Sequence, residues 1–197
     1  MKREGLGLKM ESSAQNEDLN GNENSMIPGP VLFDRETIRR RVAELGEQIS
    51  ANYRGKKLHM IAILKGANIF HADLVRTVTI DTSYDFMTVE SYGRALSTSG
   101  EVRIRKDLDE NLAGKDVLLV EDIVDSGTTL HCLQRHLLAR MPNSLKIAVL
   151  LDKPSRRTVS ISADYVGFEI PDQFVFGYGM DYDECYRNLP DIHYLNA

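Results

Sequence analysis

Residues 117–129 read Val117-Leu118-Leu119-Val120-Glu121-Asp122-Ile123-Val124-Asp125-Ser126-Gly127-Thr128-Thr129, and their order decides the fold. The aliphatic run Val117–Val120 follows the charged Lys115 and Asp116, as expected of a strand buried on both faces of a parallel sheet. Beyond Thr129 the pattern turns helical, with Leu130, Leu133, Leu137 and Leu138 expected on one side. Between strand and helix lies a turn of a carboxylate, a glycine and three hydroxyls. A helix start offers unpaired N–H groups and the positive end of the helix dipole, so such a turn cradles an anion, and phosphate is the obvious guest. The acid pair Glu121-Asp122 just upstream repels a phosphate unless the ligand also brings hydroxyls or a divalent cation. A phosphorylated sugar supplies the first and a magnesium diphosphate the second.

A generic Asp-Ser-Gly turn is more often an ordinary helix start, with Asp125 as its N-cap. The complete order strand, Glu-Asp, two aliphatics, Asp-Ser-Gly-Thr-Thr, helix is far more specific. It resembles the 5-phosphoribosyl-1-diphosphate signature of the type I phosphoribosyltransferases. The sequence contains neither a Walker loop nor a Gly-x-Gly-x-x-Gly fingerprint.

Outward from this stretch, 197 residues are enough for one domain with a substantial core. A net charge of −5 argues against nucleic acid or an anionic membrane as the principal partner. Cys132 and Cys185 form no Cys-x-x-Cys pair, which removes a zinc motif or a disulfide framework and fits a reducing, cytoplasmic setting. Cys132 falls in the expected helix, where packing is the ordinary reading. No run of roughly eighteen apolar residues offers a membrane span, and no apolar segment follows Lys2 and Arg3 as a secretory signal requires. Residues 1–25 are rich in Glu, Asn, Ser and Gly and are expected to form a disordered extension ahead of a single domain at 26–197.

Asp34 is placed to cap a helix running to about Tyr53, with Ile38, Val42, Leu45 and Ile49 inward and Gly55 as its stop. Arg39-Arg40-Arg41 reads as the solvated face of that helix. Leu58–Leu64 is a buried strand with His59 as a core residue, and Lys65-Gly66-Ala67-Asn68 turns it into a helix containing Ile69, Phe70 and Leu74. Lys65 therefore stands at the carboxyl edge of the sheet, where open α/β sheets bind ligands. A strand over 84–92, a polar glycine-bounded loop at 91–100 and a return strand at Val102 and Ile104 make a hairpin able to fold over a site. Leu145–Leu151 and Tyr165–Ile170 are further strands, and the segment 171–181 is rich in aromatics and glycine. Phe174 there has two readings, a stacking surface for a flat ligand or core packing, and the residue alone favours packing. Strands alternating with helices give an α/β fold, a mostly parallel twisted sheet flanked by helices.

Five segments carry a narrower likeness: Leu64-Lys65-Gly66, Ser91-Tyr92-Gly93, the 117–129 stretch, Leu151-Asp152-Lys153-Pro154, and Phe168-Glu169-Ile170-Pro171-Asp172 through Asp181-Tyr182. From about residue 30 onward the chain resembles the hypoxanthine (6-oxopurine) phosphoribosyltransferases, in a bacterial form. The resemblance implies the type I phosphoribosyltransferase fold, with a small hood and a flexible active-site loop. It implies a purine-salvage enzyme with Mg²⁺ as cofactor, joining the 5-phosphoribosyl group of 5-phosphoribosyl-1-diphosphate to N9 of hypoxanthine, and of guanine. The partners it implies are these small molecules and further copies of the chain, as a homodimer or homotetramer.

The site residues it implies each suit their role. Glu121 and Asp122 meet the ribose hydroxyls, directly or through Mg²⁺, and Asp181 holds a second Mg²⁺ through water. Asp125, Ser126, Gly127, Thr128 and Thr129 hold the 5′-phosphate. Asp125 is also the candidate general base near purine N7, because a carboxylate beside a phosphate dianion has its neutral form favoured, as proton exchange requires. Lys65, Gly66 and Arg187 meet the pyrophosphate, with a cis peptide at Leu64-Lys65 turning N–H groups toward the anion. Lys153 can only donate, which selects O6 of an oxopurine over the amino group of adenine. Ile123 and Phe174 sandwich the base, Val175 accepts from N1–H through its backbone, and Ser91 and Tyr92 belong to the loop that closes. A regulator of the same fold that binds RNA or DNA fits poorly with the net charge and the full set of site residues. Orotate and adenine fit poorly with Lys153, whereas xanthine, which also has O6, stays open.

Overall fold

A computed structural model of the chain describes residues 29–91 and 102–195. The expected extension at 1–25 and the segment containing Tyr92 lie outside them. Helix α1 (Arg35–Asn52) begins where the Asp34 carboxylate accepts from the Thr37 N–H at 2.7 Å, and the chain leaves it through Gly55 at a φ of +76°. Its inward residues Ile38, Val42, Leu45 and Ile49 are buried, as their spacing requires. Of the arginine run, Arg39 and Arg40 are exposed, but Arg41 donates to the backbone carbonyls of Val166 and Gly167.

The main sheet has six strands in the order β4 (Val102–Lys106), β3 (Thr82–Ser91), β2 (Leu58–Leu64), β5 (Asp116–Val124), β6 (Ser144–Asp152) and β7 (Tyr165–Glu169). Neighbours run parallel except the β3–β4 pair, a hairpin whose last described partners are Ser91 and Val102. Side-chain alternation divides the core. Met60, Ala62, Leu118, Val120 and Ala148 pack with α1 and α2 (Asn68–Thr77), while Ile61, Ile63, Val117, Leu119 and Val149 pack with α3 (Thr128–Leu138). Both faces are thus covered, which is why these strands read as continuous apolar runs.

Leu130, Leu133 and Leu137 of α3 are buried, but Leu138 is 51% exposed, one position off the inward stripe. A second, three-stranded antiparallel sheet of β1 (Val31–Phe33), β9 (Ile192–Tyr194) and β8 (Val175–Phe176) joins the two ends of the described chain into a hood.

The sheet order places the ligand crevice. From β2 the chain first moves outward to β3, then returns to lay β5 along the other side of β2. Loops leaving the carboxyl ends of β2 and β5 therefore diverge, and the gap at such a reversal is where open α/β sheets bind their ligands.

Candidate active site

Strand β5 runs further than its apolar start implies, and the acid pair lies inside it rather than after it. Its alternation inverts there: Ile123 packs with the α1/α2 cluster and Val124 with the α3 cluster, the opposite of a regular continuation from Val120. This slip sets two carboxylates side by side at the edge of the core. Glu121 is 8% exposed, and burial pushes its carboxyl well above the usual range, with the neighbouring Asp122 charge adding to the shift. Burial also raises Asp122, opposed by its bond from the Ile123 N–H and by the charge of Arg187. Two desolvated acids with no ion-paired cation among the described residues suit a ligand that brings hydroxyls or a hard divalent cation, and their all-oxygen donors fit Mg²⁺.

Gly66, two residues beyond β2, faces this pair. A Cβ on Gly66 would stand 1.8 Å from Asp122 Oδ2 and 2.7 Å from its Cγ, so no side chain fits while that carboxylate keeps its place. The adjoining Leu64–Lys65 peptide is cis.

At the far end of β5, α3 starts from Gly127, whose φ of +83° lies in the left-handed region. No side chain caps this helix, so Asp125 is not its N-cap. Ser126 Oγ donates to Thr128 Oγ1 at 3.2 Å and lies 3.4 Å from the Thr128 N–H, which gathers hydroxyls and N–H groups at the first turn. A cavity of about 330 Å³ is lined by Gly66, Glu121, Asp122, Ile123, the Asp125–Gly127 turn and Thr129, which brings the acid pair and most of the expected phosphate turn into one space, whereas Lys65, Lys153, Val175, Asp181 and Arg187 are not among its lining. A wider hollow of about 590 Å³, between α1, α2 and residues 187–190, contains none of that turn. Its arginines are already engaged: Arg35 by Asp191, Arg39 by Glu36, Arg76 by Asp73 and Arg187 by Asp181.

Lys153 follows β6 and is 6% exposed, and its N–H donates to Val124 O at 2.9 Å, tying it to the end of β5. In the hood, Val175 is buried in β8, but Phe174 is 49% exposed and meets Tyr182 edge-on. Core packing is therefore not its role. Lys65 and Arg187 stand in one ion network. Lys65 Nζ lies 2.7 Å from Glu184, and Arg187 reaches Asp181 at 2.8 Å and Glu184 at 3.5 Å. The second Asp181 oxygen accepts from the Glu184 N–H, so this carboxylate already has two partners within the chain. Among the described residues no cluster of three or more His, Cys, Asp or Glu side chains is arranged to bind a metal.

Two residues near the turn escaped the sequence reading. Arg156 Nε donates to Asp125 Oδ1 at 2.8 Å, and Arg157 donates to the Asp125 carbonyl and to the Asp152 carboxylate. The only hint was their place just after Lys153-Pro154.

The profile of the phosphoribosyl transferase domain matches residues 32–183. The hypoxanthine-guanine phosphoribosyltransferase of Mycobacterium tuberculosis is 49% identical over 185 residues, covering 89% of this chain and 92% of its own. The hypoxanthine phosphoribosyltransferase of Escherichia coli is 49% identical, covering 82% and 92%. Among solved structures, a hypoxanthine-guanine phosphoribosyltransferase from Bacillus anthracis superposes with a TM-score of 0.83 at 45% identity, covering 86% of this chain and 100% of that one. A hypoxanthine phosphoribosyltransferase from Staphylococcus aureus gives 0.82 at 47%, covering 86% and 92%. With a desolvated acid pair facing a side-chain-free turn across the sheet reversal, and with these likenesses along most of its length, the chain belongs to the phosphoribosyltransferase family.

Proposed function

We propose that the protein is a purine-salvage enzyme that transfers the 5-phosphoribosyl group of 5-phosphoribosyl-1-diphosphate to N9 of hypoxanthine or guanine, giving IMP or GMP and pyrophosphate. The observation that carries this reading is the approach of Gly66 to Asp122, because it joins a β2 turn suited to a diphosphate to acids suited to a ribose. The relatives named above act, by their names, on hypoxanthine and guanine.

In this reading the turn from Asp125 to Thr129 binds the 5′-phosphate through N–H groups and hydroxyls. Glu121 and Asp122 accept from the ribose hydroxyls and, with Asp181, are the residues that would hold Mg²⁺. When bound, the metal neutralises the charge that grows on the departing pyrophosphate. Lys65 and Arg187 exchange their carboxylate partners for that pyrophosphate, for which the planar fork of Arg187 is suited. Lys153 donates to O6 and the Val175 carbonyl accepts from N1–H, a pairing that adenine reverses at both atoms. The exposed ring of Phe174 stacks on one side of the base and Ile123 packs on the other. Asp125 takes or holds the proton at N7 as N9 displaces pyrophosphate from C1′ with inversion. Closure of the segment containing Ser91 and Tyr92 excludes water, which would otherwise capture the ribosyl cation.

The test is a panel of hypoxanthine, guanine, xanthine and adenine with 5-phosphoribosyl-1-diphosphate, with and without Mg²⁺, followed by absorbance and pyrophosphate release. Hypoxanthine and guanine are consumed only with the metal, and adenine is not. Turnover of adenine at a comparable rate, or none with any base, refutes the proposal. Light scattering on the same sample reads the homodimer or homotetramer expected of the assembly.

A further inference from the structure

Residues 156–158 fold back onto the phosphate turn along their whole length. Thr158 N–H donates to the Ser126 carbonyl at 3.0 Å, and Arg157 holds the Asp125 carbonyl at 2.9 Å. Arg157 also pairs with Asp152, and both side chains are largely buried, at 16% and 13% exposure. That pair is an anchor. Arg156 differs: its side chain is 50% exposed, yet it spans two carboxylates on separate elements. Its Nε donates to Asp125 Oδ1 at 2.8 Å and its Nη1 to Asp172 Oδ2 at 3.3 Å. Asp172 stands two residues before the exposed ring of Phe174, and Arg156 itself ends the turn that begins after Lys153.

One guanidinium thus ties together the three segments given contacts with the purine: the Asp125 turn, the Lys153 turn and the Phe174 hood. Ion pairs this exposed contribute little to stability, so conserving the fold is not a sufficient account of the bridge. A carboxylate that must meet one ring nitrogen does need its rotamer held, and misplacement of about 1 Å can cost 10²-fold in rate. Arg156 engages Oδ1, which leaves Oδ2 as the oxygen available to a base.

We propose that Arg156 is a positioning residue, orienting Asp125 through one nitrogen and the purine hood through another. This rests on the reading of Asp125 and Phe174 given above. Its two arms serve different parameters. The arm on Asp125 sets turnover and the arm on Asp172 sets affinity for the base.

The experiment compares Arg156→Gln, Arg156→Lys, Asp172→Asn and Asp125→Ala in the full chain. It measures kcat, KM for hypoxanthine, KM for 5-phosphoribosyl-1-diphosphate, and thermal midpoint. Arg156→Gln keeps its midpoint within about 2 °C of the parent, as loss of exposed pairs should. Its kcat falls about tenfold and its KM for hypoxanthine rises several-fold, with KM for the ribosyl donor unchanged. Asp172→Asn raises KM for hypoxanthine alone. Arg156→Lys recovers part of one parameter only, since a point charge cannot span both acids. If Arg156→Gln matches the parent within twofold in both kcat and hypoxanthine KM, the positioning role is overturned. Asp125→Ala separates the two levels. Retained turnover there sinks the reading of Asp125 itself, whereas its loss beside a parent-like Arg156→Gln sinks only the inference about Arg156.

Discussion

Replacing Gly66 by alanine tests the centre of the site with a single methyl group. Gly66 does not have the positive φ that would exclude alanine, so the backbone accepts the change. Such a replacement ordinarily stabilises by about 0.4–1 kcal/mol, by restricting the unfolded chain. Here the three nearest atoms to the new Cβ are Asp122 Oδ2 at 1.8 Å, Cγ at 2.7 Å and Oδ1 at 3.4 Å, all from one side chain. Real contacts need at least 3.0 Å, so the carboxylate or the turn must retreat by more than an ångström. Forcing a methyl into a packed position costs roughly 1–3 kcal/mol. If Asp122 meets the ribose as proposed, the same displacement lowers kcat/KM for 5-phosphoribosyl-1-diphosphate by about 10²-fold. Urea denaturation of the parent, Gly66→Ala, Asp122→Ala and the double variant reads the first effect as a cycle. In the Asp122→Ala background both clashing atoms, Oδ2 and Cγ, are gone, and Gly66→Ala becomes neutral or stabilising. If Gly66→Ala destabilises equally in both backgrounds, or leaves kcat/KM intact, the assigned contact between turn and acid pair is wrong.

Three further outcomes follow from named contacts. Asp125→Ala should lower kcat by about 10²–10⁴-fold, the range of a general acid–base group, in single-turnover assays with saturating substrates. Arg157→Ala should destabilise by about 3–5 kcal/mol, because Asp152 is left as a largely buried charge without its partner, and urea midpoints at constant slope will read it. His71 is buried, and desolvation holds it at about 4 against an ordinary 6.5, so it stays neutral in the folded chain. Between those values the unfolded chain binds the additional proton, so stability falls as pH drops through that window. Unfolding free energies from urea denaturation at pH 7.5 and 5.0 should differ by about 2 kcal/mol more in the parent than in His71→Phe. An equal pH dependence in both proteins would show that His71 is not held neutral.

The elements that could be read in advance are those whose signal is local. Leu58–Leu64 is a strand in both readings because seven residues of apolar run leave a buried strand as the economical choice. Asp34 caps α1 because an Asp three residues before Thr37 needs only its own turn. What escaped depends on partners distant in sequence. Strand β5 continues through Glu121 and Asp122 because β6 pairs with it as far as Asp152, and no composition rule extends a strand into two acids. Phe174 lies exposed just before β8, whereas an aromatic side chain read alone points inward. Arg41, assigned to solvent with its neighbours, finds β7 carbonyls 125 and 126 positions away. Arg156 and Arg157 needed the return of the chain over the turn at Asp125 and Ser126 before their partners existed.

The acid pair marks where stability and function oppose each other in this fold. Two adjacent carboxylates at the edge of the core are costly, since burial raises both and the charge of Asp122 works against ionisation of Glu121. A family of apolar packings would serve β5 better, as the run from Val117 to Val120 shows a few residues earlier. The sheet order explains why the acids can sit there at all. β2 and β5 are neighbours whose following loops diverge, so the end of β5 is the last level at which the core closes and the first at which a ligand enters. The inversion of alternation at Glu121–Asp122 lets apolar packing resume at Ile123 and Val124 on both faces, which confines the cost to two positions. The neighbouring cations have partners elsewhere, Lys65 with Glu184 and Arg187 with Asp181 and Glu184. The acid pair is thus left without an ion-paired partner among the described residues, and in the function proposed above a magnesium-bearing ribosyl diphosphate supplies it.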